Sequence, residues 1–288
     1  MRATTQFRQM MREPGMIIAP GVAEAMSARV VLSLGFRAIY MTGSGSSAIR
    51  LGMPDMGLMT MVEMVDNAAR IAEASGLPLI ADADEGFGGP LNVRRTVRAY
   101  ERAGVAGVHL EDQQLPKRCG HLAGKTLISE KDMCAKIRAA CDARTDADFF
   151  LIARTDAVSV EGLDRALERA LRYEEAGADM IFIEAPSSVA DAARITKTLK
   201  GPALYCQAAV GSTPLLSAAE IEKLGFKLAI YPNYVVLAML TAATGLLKEL
   251  KDTGSVAQSV KQMANFAQLF DVLGMKDVEA LSQRYAVD

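Results

Sequence analysis

The 288-residue chain has a formal net charge of −2, is half apolar and is 23% charged. That composition suits a soluble protein with a large buried core, and it gives no electrostatic reason to expect nucleic acid or an anionic membrane as partner. No run of about 18 uncharged apolar residues occurs, so no membrane span is expected.

The opening segment, MRATTQFRQMMREPG, lacks an apolar h-region, so no secretory signal is expected. Short apolar runs then recur: MIIAPG (16–21), AIYMTG (38–43), PLIADAD (78–84), GVHLEDQ (107–113), FFLIARTDA (149–157), MIFIEA (180–185), ALYCQAA (203–209) and LAIYPN (228–233). These are eight candidate strands. Between them lie segments such as NVRRTVRAYERAG (92–104) and GLDRALERALRYEEAG (162–177), where apolar residues return every three or four positions and a glycine closes the pattern. After the eighth strand a helical pattern covers 234–252, with more helix to Asp288.

Strands alternating with helices imply βαβ units and a parallel sheet. Eight units in about 230 residues fit an α/β fold of the (β/α)8 TIM-barrel type. A doubly wound sheet is the alternative, but no GxGxxG opens a helix to support its dinucleotide-binding form. No linker divides the chain, so one domain is expected over 1–288, with 234–288 as its helical C-terminal extension. The cysteines Cys119, Cys134, Cys141 and Cys206 show no paired spacing. Cys134 and Cys141 can share a helix face as buried thiols, and a reduced, cytoplasmic protein fits this usage.

Chemistry in a barrel sits at the C-terminal ends of the strands. There the second strand carries Tyr40, Thr42, Gly43 and Ser44, the third Asp82 and Asp84, the fourth His109, Glu111 and Asp112, the fifth Arg154 and Asp156, and the sixth Glu184. Asp82 and Asp84 are two apart, which on a strand puts them on one face. Neighbouring carboxylates repel unless one protonates or a cation intervenes. With Glu111 as a third oxygen ligand, the set suits Mg2+ or Mn2+, with waters completing an octahedron. The alternative is that these acids cap the next helix or pair with Arg94 and Arg95. The twelve-residue calcium loop is missing.

The polar stretch QQLPKRCGHLAGKTLI (113–128) follows the fourth strand. Lys117, Arg118 and His121 flank Cys119 and favour its thiolate, and Gly120 and Gly124 supply hinges. A thiol on such a loop above a metal site reads as a lid that delivers an acid or a base. The alternative is a cysteine buried as an apolar filler.

DADEGFG (82–88), GVHLEDQ (107–113), KRCGH (117–121) and ARTDA (153–157) together resemble the isocitrate lyase/phosphoenolpyruvate mutase superfamily. KRCGH is the form found in the methylisocitrate lyases and their relatives. The resemblance implies a barrel whose eighth helix swaps between subunits, giving a homotetramer built as a dimer of dimers. It implies Mg2+ dependence and small 2-hydroxy or 2-oxo acids as substrates. The reaction implied is carbon–carbon cleavage of a 2-hydroxy di- or tricarboxylate, of the methylisocitrate or alkylmalate type, to a 2-oxo acid such as pyruvate plus succinate or propionate. Carried over by residue, Asp84 ligates the metal directly, Asp82 and Glu111 hold it through water, and Asp55 lies near it. Thr42, Gly43 and Ser44 bind the substrate carboxylate, and Gly120, His121 and Thr213 also contact substrate. Arg154 meets the 2-oxygen and a carboxylate, with Glu184 and His109 in support. Tyr40 is the candidate base. Cys119 is the acid, with Lys117, Arg118 and His121 around it.

Three positions depart from the lyase pattern. Methylisocitrate lyases resemble N-x-T-E before the Thr-Pro of the seventh strand, where this chain has Cys206, Gln207, Ala208 and Ala209. Each lost hydrogen bond to a distal carboxylate should cost about 1–3 kcal/mol, which points to a substrate with a smaller or less polar distal part. Ser44 replaces the second glycine of the carboxylate loop. Glu85 replaces a small or apolar residue, where it either shifts metal preference or faces solvent. The competing readings are an oxaloacetate decarboxylase or hydrolase, a phosphonopyruvate-type enzyme, and a non-catalytic barrel that binds a keto acid.

Overall fold

The computed structural model describes residues 1–120, 124–209, 211 and 213–286. Its centre is a closed barrel of eight parallel strands in sequence order. They are β1 (Ile17–Val22), β2 (Ile39–Met41), β3 (Leu79–Asp82), β4 (Gly107–Glu111), β5 (Phe150–Thr155), β6 (Met180–Ile183), β7 (Ala203–Cys206) and β8 (Leu228–Tyr231). Pairing of β1 with β8, Ile17 opposite Leu228 through Pro20 opposite Tyr231, closes the ring. All eight expected strands form, seven inside the apolar run assigned to them and β1 extending one residue beyond its run, to Val22.

Side chains alternate between the two faces of each strand, and the core divides accordingly. One apolar set packs between strands and surrounding helices and includes Leu79, Val108, Leu151 and Ile181. The other fills the barrel and includes Ile17, Ala19, Tyr40, Ile80, Ile152, Phe182, Leu204 and Ile230. Continuing the inward register one step toward the strand ends takes Ile80 to Asp82, Ile152 to Arg154 and Phe182 to Glu184. The residues that fill the barrel thus give way to the residues that line its mouth.

The other end is closed by a helix that the sequence pattern did not reveal, Ala3–Arg12. Its Phe7 is fully buried and meets Phe150 edge-on, with ring centroids 5.1 Å apart. After β8 the chain forms the helices Tyr234–Thr253, Phe266–Val272 and Met275–Arg284. None of the three holds a buried residue, and Leu240, Leu247, Phe266 and Leu281 are exposed. No described helix is long and apolar enough to cross a membrane. Cys134 and Cys141 lie on the helix Glu130–Ala143 and donate to the carbonyls of Arg172 and Gly177; Cys134 is buried as expected, whereas Cys141 is only half-buried.

Candidate active site

At the C-terminal mouth of the barrel, Tyr40, Asp82, Lys117, Cys119, Arg154 and Glu184 surround a cavity of about 40 Å³. That space holds only a few waters, because the segment after β4 lies down on the site. The closure is tightest at Gly120: a Cβ there would strike the Arg154 guanidinium and the Glu184 carboxylate. Only glycine lets the segment sit so close. Gln113 holds its base by accepting from the Arg118 N–H at 2.9 Å and donating to the Arg118 carbonyl at 2.8 Å.

Arg154 is the centre of one charge cluster. It meets Asp156 at 3.0 Å, Glu184 at 3.0 Å and Glu111 at 3.5 Å. Burial alone would lower its pKa, but Asp156, Glu184 and Glu111 outweigh that and hold it well above the usual value. Lys117 is the centre of the other, with its ammonium 2.7 Å from Asp55 and 2.5 Å from Asp84. Burial again opposes the charge, and Asp84, Glu111, Asp82 and Asp55 together overcome it.

Tyr40 and His109 form a neutral pair, the phenol oxygen 2.8 Å from Nε2. Burial, then Asp82, pushes the phenol pKa well up, while burial, then Arg154 and Lys117, pushes the imidazole well down. Next to them, Thr42 caps the helix Gly43–Leu51. The Gly43 N–H donates to Asp82 at 3.2 Å. The Thr42 and Ser44 hydroxyls both donate to Asn233 Oδ1, at 3.1 and 3.0 Å.

Nearly all the expected residues therefore converge, with corrections. Asp82 and Asp84 are not neighbours on one strand face: β3 ends at Asp82, and Asp84 has φ +46°. A left-handed residue turns the chain after the strand, and this is how Asp84 comes to face Lys117. Lys117 is committed to Asp55 and Asp84, so its charge is not spent on Cys119. Arg94 and Arg95 pair with none of the site's acids and lie on an outer groove. Glu85 neither joins Asp82, Asp84 and Glu111 nor faces solvent. It is 3% exposed, its Oε1 has no hydrogen-bond partner, and it borders a separate cleft with Lys136, which donates to the Glu85 carbonyl. Asp112 turns outward and accepts from Thr155 and Tyr173, a structural role. Thr213 is buried, makes no hydrogen bond through its hydroxyl and does not line the cavity. His121 lies outside the described residues.

Two contributors were missed. Lys125 ties the lid to Asp156 at 3.2 Å and also meets the Gly120 carbonyl. Asn233 was overlooked although it ends the eighth strand segment, and the strand-end rule that found the others points to it.

The acids suit a divalent cation by their chemistry. Burial pushes the pKa of Asp84 up to about 6 and those of Asp82 and Glu111 up as well. Glu111 Oε1 is buried with no hydrogen-bond partner. The site therefore holds more carboxylate than Arg154, Lys117 and Lys125 neutralise. Among the described residues no three acids converge to metal-ligand distances; the Lys117 ammonium stands between Asp55 and Asp84 instead.

Comparison with known proteins accords with this geometry. The family model described as phosphoenolpyruvate phosphomutase matches residues 7–251, and the chain belongs to that family, within the PEP mutase/isocitrate lyase superfamily. It is 46% identical to the 2,3-dimethylmalate lyase of Eubacterium barkeri, over 99% of each chain. It is 39% identical to the 2-methylisocitrate lyase of Halalkalibacterium halodurans, over 98% of this chain and 93% of that one. Among solved structures, an oxaloacetate acetylhydrolase in complex with 3,3-difluorooxalacetate superposes with a TM-score of 0.94 at 38% identity, over 98% of this chain and 96% of the other. A phosphonopyruvate hydrolase in complex with oxalate and Mg2+ superposes with a TM-score of 0.89 at 27% identity, over 99% of each chain.

Proposed function

We propose that this protein is a Mg2+-dependent carbon–carbon lyase that cleaves a 2-alkylmalate of the 2,3-dimethylmalate type to pyruvate and a short carboxylic acid such as propionate. The observation that carries the reading is the mixed charged and apolar lining of the cavity. Arg154, Lys117, Asp55, Asp82 and Glu184 line it together with Phe182, Cys206, Ile230 and Pro232, the Arg154 guanidinium lying 5.0 Å from the Phe182 ring centroid. The charged groups suit the 2-hydroxy acid end, and the apolar side chains suit methyl groups where methylisocitrate would place a further carboxylate. The similarity to a 2,3-dimethylmalate lyase supports the same substrate class.

Asp84, Asp82, Glu111 and Asp55 would hold the metal, and the Mg2+ in a phosphonopyruvate hydrolase of the same fold supports that choice of ion. Mg2+ bound there would supply Lewis-acid polarisation of the substrate's carboxylate and 2-hydroxyl. Thr42, Gly43 and Ser44 seat the carboxylate, and Arg154, held by Asp156 and Glu184, meets the 2-oxygen. Tyr40 takes the hydroxyl proton as it passes its own to His109 Nε2. The C2–C3 bond breaks, leaving a 2-oxo acid and a carbanion at C3. Cys119 protonates that carbanion, and the closed lid keeps water from competing.

The exposed apolar residues of 234–286 support packing of that arm on a second subunit, in the helix-swapped homotetramer that the resemblance implies. Four cysteines outside any disulfide support a reduced, cytoplasmic setting. The test is pyruvate formation from 2,3-dimethylmalate with Mg2+ and with EDTA. EDTA-sensitive turnover is expected, and silence on every 2-hydroxy dicarboxylate would overturn the reading.

A further inference from the structure

Asn233 stands between β8 and the helix Tyr234–Thr253, where an asparagine side chain ordinarily accepts from a backbone N–H in the first turn. Here it caps nothing. Its Oδ1 reaches across the barrel mouth and accepts from Thr42 and Ser44 hydroxyls, at 3.1 and 3.0 Å. The Thr42 hydroxyl accepts in turn from the Gly45 N–H at 3.3 Å and lies 3.2 Å from the Ser44 hydroxyl, so the two hydroxyls and Oδ1 form one hydrogen-bonded cluster. An oxygen committed twice fixes the plane of the amide and leaves Nδ2 with two donors. No hydrogen bond joins that nitrogen to a described residue, and Asn233 lines the same cavity as Arg154 and Cys119.

Ser44 is one of the positions where this chain departs from the carboxylate loop it resembles, and its hydroxyl is one of the two that orient Asn233. The same chain lacks polar side chains at 206 and 208 on the β7 side. Polar capacity absent from β7 is present as a pair between β2 and β8.

We propose that Asn233 is a substrate-binding residue whose Nδ2 donates a hydrogen bond to the carboxylate seated on residues 42–44. The assignment rests on the reading of this cavity as the lyase site. Asn233 thereby supplies a neutral donor to a carboxylate that Arg154, and a cation held by Asp84, would also contact. Thr42 and Ser44 act through it by holding the amide in the donating orientation.

The experiment is calorimetric titration of oxalate, a compact carboxylate probe, into the full-length protein with saturating Mg2+. Asn233→Asp keeps an acceptor for both hydroxyls but loses the donor and adds a charge. Asn233→Leu loses donor and acceptor and adds no charge. A donor role predicts that both weaken oxalate binding at least tenfold, with Tm close to that of the parent protein. A purely structural role for Oδ1 predicts that Asn233→Asp binds within twofold of the parent, and a purely electrostatic effect predicts the same of Asn233→Leu; either result overturns the proposal. Absence of oxalate binding by the parent protein would instead overturn the lyase-site reading beneath it. Turnover of 2,3-dimethylmalate by the parent protein tests that reading independently.

Discussion

The Lys117 ammonium stands 2.5 Å from Asp84 and 2.7 Å from Asp55, so a lid residue supplies the positive charge nearest the metal-suited acids. Lid closure and charge balance are therefore one event. Lys117→Gln leaves the buried Asp84 and the part-buried Asp55 uncompensated, which costs up to about 3–5 kcal/mol where a buried pair is broken. Thermal unfolding should show a clear drop in Tm without Mg2+ and partial recovery with it. An unchanged Tm in EDTA would mean that the pair carries no such weight.

Proton and metal compete for Asp84. Its pKa in the folded protein is about 6 against an ordinary 3.8, chiefly through burial. A raised carboxylate pKa favours the protonated fold, so metal-free stability from this group is lost as pH rises from about 4 through 6. Mg2+ binds the ionised form, so its affinity should fall about tenfold between pH 7 and pH 5. Isothermal titration with Mg2+ at both pH values checks this, and a pH-independent Kd would exclude Asp84 as a ligand.

Cys119 separates the lyase from an oxaloacetate-cleaving relative. As the donor to a departing carbanion, its replacement by alanine should lower kcat about 10²–10⁴-fold while oxalate still binds. Retained turnover of oxaloacetate by the alanine variant would favour the hydrolase reading.

Glu85 is a buried acid whose Oε1 makes no hydrogen bond, and burial raises its pKa. An uncompensated buried carboxylate destabilises the fold above its unfolded pKa of about 4.3. Glu85→Gln should therefore stabilise by about 1 kcal/mol at pH 7 and by less at pH 4. Tm measured across that range decides it; a loss of stability would show that the carboxylate has a partner in solution.

Much of this site was legible in the sequence because a parallel barrel makes strand ends converge. Eight apolar runs gave eight strands, and polar residues at their ends gave Tyr40, Asp82, Glu111, Arg154 and Glu184. What was not legible depends on local dihedrals and long-range partners. The positive φ at Asp84 takes it off the strand face, a turn that spacing does not encode. Glu85 follows that turn into a separate cleft. Asn233 reads as a helix cap, and only the proximity of Thr42 and Ser44, 191 and 189 residues away, shows otherwise. The helix Ala3–Arg12 is polar on average, and its few apolar contacts at the barrel floor decide its place.

The substrate claim rests on the apolar lining at Phe182, Cys206, Ile230 and Pro232, with Cys206 and Ala208 standing where the methylisocitrate lyases resemble a polar pattern. The most direct measurement is the ratio of kcat/KM for 2,3-dimethylmalate to that for 2-methylisocitrate, in the parent protein and in Cys206→Asn/Ala208→Thr. A ratio well above one that falls about 10–100-fold in the double variant is expected. A parent protein that prefers methylisocitrate would contradict the account.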